Sequence, residues 1–130
     1  MTDPLQLLAA FLLAVVGVAR ATRLLIHDGY PPTAALRRWW WNQTVAKGGW
    51  RDSWHLLLVG REPDESGCPF CAAPYIAAVA LGTAVWADVL PLDLGTLAGW
   101  WWLLAVWASV SYLAAMLVLR DEPPAEHDHA

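Results

Sequence analysis

Residues 97–119, LAGWWWLLAVWASVSYLAAMLVL, run for 23 residues without a charged side chain. A helix rises about 1.5 Å per residue, and the hydrocarbon core of a bilayer is about 30 Å thick. This stretch is therefore long enough to cross a membrane with some tilt. It predicts a membrane-spanning helix, and therefore an integral membrane protein.

Two more apolar stretches lie nearer the N-terminus. Residues 5–26 predict a first span, and residues 73–91 predict a second, in which Pro74 suits a first helical turn and Pro91 a stop. A secretory signal peptide is the alternative for the first stretch. The segment before it contains Asp3 and no Lys or Arg, whereas a signal peptide begins with basic residues. The sequence predicts an all-α integral membrane protein with three transmembrane helices.

The composition supports this class and excludes others. Apolar residues make up 58% of the chain and charged residues 15%, against about 45–50% and about 25% in soluble domains. A chain of 130 residues with a net charge of −4 and only two cysteines fits neither a nucleic-acid binder nor a disulfide-stapled module. We predict one membrane domain over residues 1–120, followed by a disordered acidic tail over residues 121–130.

The loop between the first two spans, residues 27–72, is too long for a simple linker. Pro31 and Pro32 interrupt the chain, and residues 34–47 then predict an amphipathic helix that two glycines terminate. A helix with aromatic residues on one side is typical of the membrane interface. A second, shorter helical segment is predicted over residues 52–60.

The distribution of basic residues predicts the orientation. Residues 20–61 contain seven of the eight basic residues, whereas the turn between the second and third spans contains Asp88 and Asp93 and no basic residue. Cytoplasmic loops are enriched in Lys and Arg. We therefore predict a multi-pass protein of the inner or plasma membrane, with the N-terminus outside and the C-terminus in the cytoplasm.

Ionisable side chains cluster at the end of the first span. Arg20, Arg23 and His27 recur at helical spacing, and Asp28 follows them. Ionisable residues at membrane depth are candidate functional residues, although these arginines could simply reach anionic headgroups or pair with Asp28. The residues predicted to contact lipid or a partner are Arg20, Arg23, Asp28, Arg37, Arg38, Trp39, Trp40 and Trp41.

The motif Cys68-Pro-Phe-Cys71 precedes the second span. Two cysteines at this spacing bring their sulfurs close enough for one Zn²⁺ or for reversible disulfide chemistry. Zinc would need further ligands, for which His27, His55 or Asp64 are available. The alternative is a pair of packing thiols. Because no catalytic motif is present, the sequence predicts no enzyme and no cofactor other than this zinc.

Each span carries small residues at helical spacing. Such residues let helix backbones approach closely in lipid, either within one chain or between copies. We expect intramolecular packing, self-association, or contact with an unidentified membrane protein through the stripes Ala10, Ala14, Gly17, Ala21; Ala77, Ala80, Ala84, Ala87; and Ala105, Ser109.

Two motifs resemble a family of small bacterial and phage membrane proteins of unknown function, which includes a sporulation protein of spore-formers. The segment Arg20-Ala-Thr-Arg23-Leu followed by Asp28 is similar to that family's Arg-Leu-Thr-Arg-Leu and Asp, and Cys68-Pro-Phe-Cys71 is similar to its Cys-Pro-Trp-Cys. The resemblance covers roughly residues 10–90. It implies that these two arginines, the aspartate and the two cysteines act together at the cytoplasmic ends of the first two spans.

The leading functional hypothesis is a small membrane protein of structural or interaction type, which binds lipid headgroups and a protein partner or itself. A phage holin-like pore-former is the first alternative, because short three-span proteins with small-residue faces fit that design. The second alternative is a membrane enzyme with a metal or redox site at Cys68 and Cys71. The Ala- and Trp-rich composition points to a bacterium or its phage.

Overall fold

The fold is a bundle of helices. The computed structural model describes residues 3–27, 30–44, 47, 67–90 and 92–121, and within these ranges every regular element is a helix. Three helices are long and apolar enough to cross a membrane, which confirms the predicted all-α membrane fold. The helices are α1 (Pro4–Ile26), α2 (Pro31–Thr44), α3 (Pro69–Trp86) and α4 (Leu97–Arg120), of which α1, α3 and α4 are the candidate spans.

Side-chain caps begin α1 and α4. The Asp3 carboxylate accepts a hydrogen bond from the Leu5 N–H at 3.1 Å, and the Thr96 hydroxyl accepts one from the Gly99 N–H at 3.1 Å. These oxygens satisfy amide groups that have no partner within the helix. Gly99 also allows the preceding turn to lie directly on α4, because a Cβ at this position would collide with the Asp93 carbonyl.

The start of α3 differs from the predicted span. Pro69 takes the first helical position after Cys68, so α3 begins four residues before residue 73, and Pro74 lies inside the helix. Proline suits the first position because that amide would lack a helical partner in any case. The sequence analysis placed Pro74 in the first turn, whereas the helix begins at Pro69.

The end of α3 also differs, because the helix stops at Trp86, before Pro91 is reached. The Val89 N–H donates to the Ala84 carbonyl at 2.9 Å, and the Asp88 N–H donates to the Val85 carbonyl at 3.1 Å. With Asp88 at φ 58°, these bonds form a Schellman motif. Aspartate tolerates this left-handed conformation better than most residues, so it terminates the helix where glycine is usual.

Contacts between helices fix their directions. Arg23 near the end of α1 contacts Asp121 just after α4, whereas the Trp107 indole of α4 donates to the Pro74 carbonyl of α3 at 2.8 Å. Thus α1 and α4 run parallel. Further along α4, the Tyr112 ring lies 6.0 Å from the Phe70 ring, which is nearer the start of α3, so α3 runs antiparallel to both. We call the end where α1 and α4 finish and α3 begins the arginine end, after Arg20, Arg23 and Arg120. The opposite end, with Trp86 and residues 100–102, is the tryptophan end.

The core lies in the half of the bundle nearer the arginine end. Every residue of α1 from Pro4 to Ala10 is exposed. Buried hydroxyl groups in the core bond to carbonyls of their own helices, as Thr22 does to the Val18 carbonyl at 2.7 Å and Ser111 does to the Trp107 carbonyl at 2.6 Å. The main cluster of buried apolar residues is Val15, Val18, Ala19, Ile26, Ala72, Ala73, Ala77, Val110, Ala114, Ala115 and Val118.

The small-residue stripe predicted on α1 is not its packing face. Ala10, Gly17 and Ala21 are exposed, and a Cβ on Gly17 would meet nothing within 4 Å. Close approach is provided instead by alanines of α3 and α4, against which α1 places larger residues such as Val15 and Val18. The stripe on α3 is directed inward at Ala77, Ala80 and Ala84 and is exposed at Ala87. Self-association through the outward face of α1 stays a prediction.

The helix predicted for this loop is present as α2, although it begins at Pro31 and ends at Thr44. The chain break expected at the two prolines is thus the start of a helix, as proline in a first turn allows. The position of α2 at the membrane interface stays a prediction. Asp28, His55 and Asp64, the segment 52–60 and the tail from residue 122 onward lie outside the described residues.

Candidate functional site

An open cleft separates α1 from α4 at the arginine end. It measures about 270 Å³, and its walls are mainly apolar. Val16 and Leu117 lie about one turn deeper in the bundle than Arg20 and Asp121, so the charged groups stand at the outer rim. The residues that line the cleft are Val16, Ala19, Arg20, Arg23, Leu117, Val118 and Asp121.

The rim of this cleft contains an ion pair. A guanidinium nitrogen of Arg23 lies 3.2 Å from a carboxylate oxygen of Asp121, where the side chains are 35% and 66% exposed. Ion pairs this accessible contribute only about 0–1 kcal/mol to stability. The pair therefore adds little to the stability of the bundle.

Arg37 has a structural position, although the sequence suggested contact with lipid or a partner. It is buried, and its guanidinium donates to the Leu25 carbonyl at 2.9 Å. The last carbonyls of a helix lack partners within it, and a cation there also interacts favourably with the helix dipole. Arg37 thereby joins α2 to the end of α1.

The remaining predicted residues of α2 differ in exposure. Arg38, Trp39 and Trp40 are exposed, whereas Trp41 is half-buried. The Trp39 and Trp40 rings contact each other at a centroid distance of 6.1 Å. Leu36 is also exposed, so α2 presents apolar groups outward beside a cation, which is the pattern of a helix at a membrane interface.

A second cleft lies on the other side of the α1–α4 contact. It measures about 590 Å³ and shares Leu117 with the first. Arg120 stands at its rim, and its other lining residues are apolar: Leu12, Val15, Leu113, Met116 and Leu119. The arginine end therefore has two apolar clefts, each with at least one arginine at the rim.

The two cysteines form a dithiol at the start of α3. Cys68 is the N-cap residue and Cys71 the third residue of the helix, and both are free thiols of intermediate exposure. Their side chains lie three residues apart at the first turn of the helix. The backbone holds them there, because the Cys71 N–H donates to the Cys68 carbonyl at 3.1 Å.

The predicted zinc ligands are only partly placed. His27 is half-buried and caps the end of α1, where its backbone N–H donates to the Arg23 carbonyl at 2.8 Å. Among the described residues, no group of three His, Cys, Asp or Glu side chains could hold a metal ion. His55 and Asp64 lie outside those residues, so the zinc site stays a prediction.

The predicted site residues lie at several places around the arginine end. Arg20 and Arg23 share a cleft, Arg37 caps α1, and Cys68 and Cys71 lie at the start of α3. The predicted joint action of the two arginines, Asp28 and the two cysteines stays a prediction. Sequence reasoning missed Asp121, which it assigned to the disordered tail. Its position directly after the last span, level with the end of a parallel helix, was the signal that could have identified it.

Comparison of the chain with protein-family models, curated proteins and solved structures gave no match. The family resemblance of the two sequence motifs therefore stays a prediction.

Proposed function

We propose that the protein is a membrane protein of structural or interaction type, whose arginine end binds anionic phospholipid. The cleft between α1 and α4 carries the proposal, because it combines apolar walls with Arg20 and Arg23 at the rim. A phospholipid has the complementary shape and charge, since its acyl chain is apolar and its phosphate is an anion. Arginine recognises phosphate through paired, charge-assisted hydrogen bonds.

The exposure of the two arginines fits this role. Arg20 is exposed, and Arg23 is half-buried against the cleft. Arginine stems can lie along apolar surface while their guanidinium groups reach headgroup depth. The exposed Trp39 and Trp40 of α2 suit the same depth, because indole rings favour the membrane interface.

The proposal includes an orientation. The arginine end would face the cytoplasmic leaflet, which attracts basic residues through its anionic lipids. The tryptophan end would then lie at the opposite interface. Arg37 is left out of the lipid site, because its guanidinium is already bonded to the Leu25 carbonyl.

Native mass spectrometry of the full chain can test the proposal. Protein released from nanodiscs of equal phosphatidylglycerol and phosphatidylcholine should retain phosphatidylglycerol preferentially. In the double variant Arg20→Gln, Arg23→Gln this preference should fall by about tenfold, which corresponds to about 1.4 kcal/mol. Arg38→Gln is the matched control, since it removes an exposed arginine outside the cleft.

Asp121→Asn provides a test in the opposite direction. Removing the carboxylate that competes for Arg23 should raise phosphatidylglycerol retention a few fold, because the ion pair contributes at most about 1 kcal/mol. Equal retention of the two lipids by the wild type would contradict the proposal. So would an effect of Arg38→Gln as large as that of the double variant. Dye leakage from vesicles containing the wild type would instead favour the pore-forming alternative.

A further inference from the structure

The dithiol at the start of α3 is not used by the lipid proposal. Cys68 and Cys71 are the only cysteines of the chain, and they lie three residues apart at the first turn of α3, where both are free thiols of intermediate exposure. From this arrangement we propose that they exchange with disulfides, so that the protein passes between a dithiol form and a form with an internal Cys68–Cys71 disulfide.

The local backbone places the two cysteines on one turn. Cys68 occupies the N-cap with extended dihedral angles, φ −82° and ψ 117°, and Cys71 is the third helical residue. The Cys71 N–H donates to the Cys68 carbonyl at 3.1 Å, which closes the turn between them. A disulfide requires Cα atoms about 4.4–6.8 Å apart, and residues three apart on a helical turn are close enough. Pro69 at the first helical position fixes the turn.

The two sulfurs have different tasks in the exchange. Cys68 precedes the helix at the N-cap position, whereas Cys71 lies within the first turn. Both thiols are free and of intermediate exposure. In the proposed exchange Cys68 is the attacking sulfur, and Cys71 is the sulfur that resolves the intermediate.

The exchange balances without a cofactor. The Cys68 thiolate attacks one sulfur of a substrate disulfide, forms a mixed disulfide and expels the other half as a thiolate, which takes up a proton. Cys71 then loses its proton, attacks the Cys68 sulfur and releases the second half of the substrate as a thiol. Two electrons pass from the dithiol to the substrate, which leaves as two thiols.

Oxidised glutathione is a suitable probe of this chemistry. The reduced full chain in detergent is treated with the probe, quenched by alkylation and weighed intact. The wild type should lose both thiols together and gain an internal disulfide, with no lasting glutathione adduct. Cys71→Ser should accumulate one adduct on Cys68, whereas Cys68→Ser should form its adduct at least about tenfold more slowly, because Cys71 lacks the N-cap position.

Two results would overturn the proposal. The first is a wild type that accumulates glutathione adducts, or keeps both thiols, without forming the internal disulfide. The second is one zinc ion per chain or per dimer in the purified protein, whose removal is required before either thiol reacts. Both results come from the wild type, so they stand even if a serine variant fails to fold. Helical circular dichroism checks the folding of the variants.

Discussion

The arginine end and the tryptophan end of the bundle differ in packing and in polarity. The arginine half contains the main apolar core, the Arg23–Asp121 ion pair, the Arg37 cap and both clefts between α1 and α4. At the tryptophan end the large side chains face outward, and Trp86 is 89% exposed. Among the described residues, Gly99 alone is buried in the first turn of α4.

The two ends of the bundle therefore suit different contacts with a membrane. The tryptophan end offers apolar and aromatic surface, which any interface accommodates. The arginine end offers charged groups at the rims of apolar clefts, which in the proposed function discriminate between anionic and zwitterionic lipids. Binding specificity is therefore expected at the arginine end, where the helices also contact each other most closely.

Overpacking the core should have the largest effect. Ala114 is fully buried, so Ala114→Leu forces extra atoms into the contact with α1 and α3 and should lower the free energy of unfolding by about 3 kcal/mol. Ala98→Leu is the matched control on the same helix, because Ala98 is exposed near the tryptophan end. Unfolding in mixed SDS micelles measures both. Equal losses would show that the two halves are packed alike.

Removing the α1 cap should have a smaller effect. Arg37→Leu replaces the arginine by an apolar side chain and removes the donor to the Leu25 carbonyl. It should lower the free energy of unfolding by about 2 kcal/mol, as expected for a hydrogen bond from a charged group. Arg38→Leu, one residue further along α2, removes an exposed arginine and should cost less than about 0.5 kcal/mol. Thermal unfolding of the two variants would contradict the capping role if their losses were the same.

The smallest stability effect is expected at the α3–α4 contact. Trp107→Phe removes the indole N–H that donates to the Pro74 carbonyl at 2.8 Å. This should lower the free energy of unfolding by about 1 kcal/mol. Trp101→Phe is the control at the tryptophan end, where the indole is exposed. A Trp101 variant as unstable as the Trp107 variant would argue against the difference between the two halves.

The sequence predicted the spans because a run of apolar residues is a local signal. It predicted the ends of α3 less well. Pro69 and Pro74 both suit a first turn, and the sequence alone does not show which of them begins the helix. The left-handed conformation of Asp88 was equally hidden, because glycine is the usual residue at such a helix end.

The candidate site was predictable only in part. The arginines of α1 stood out as charges within an apolar run, whereas Asp121 was read as tail because its partner lies 98 residues away in sequence. Arg37 shows what the sequence could not reveal. An arginine beside tryptophans suggests contact with lipid, which stays a prediction, whereas its hydrogen bond to the Leu25 carbonyl depends on how the fold places α2 against the end of α1.

The most direct test of the account is to map where an anionic lipid binds. A phosphatidylglycerol with a photoreactive group next to its headgroup would be crosslinked to the full chain in nanodiscs, and the modified peptides sequenced. We predict adducts in residues 16–23 and 117–121, which line the cleft at the arginine end, and fewer adducts there in the Arg20→Gln, Arg23→Gln variant. Adducts concentrated in residues 86–102, or spread evenly over both ends, would contradict the account.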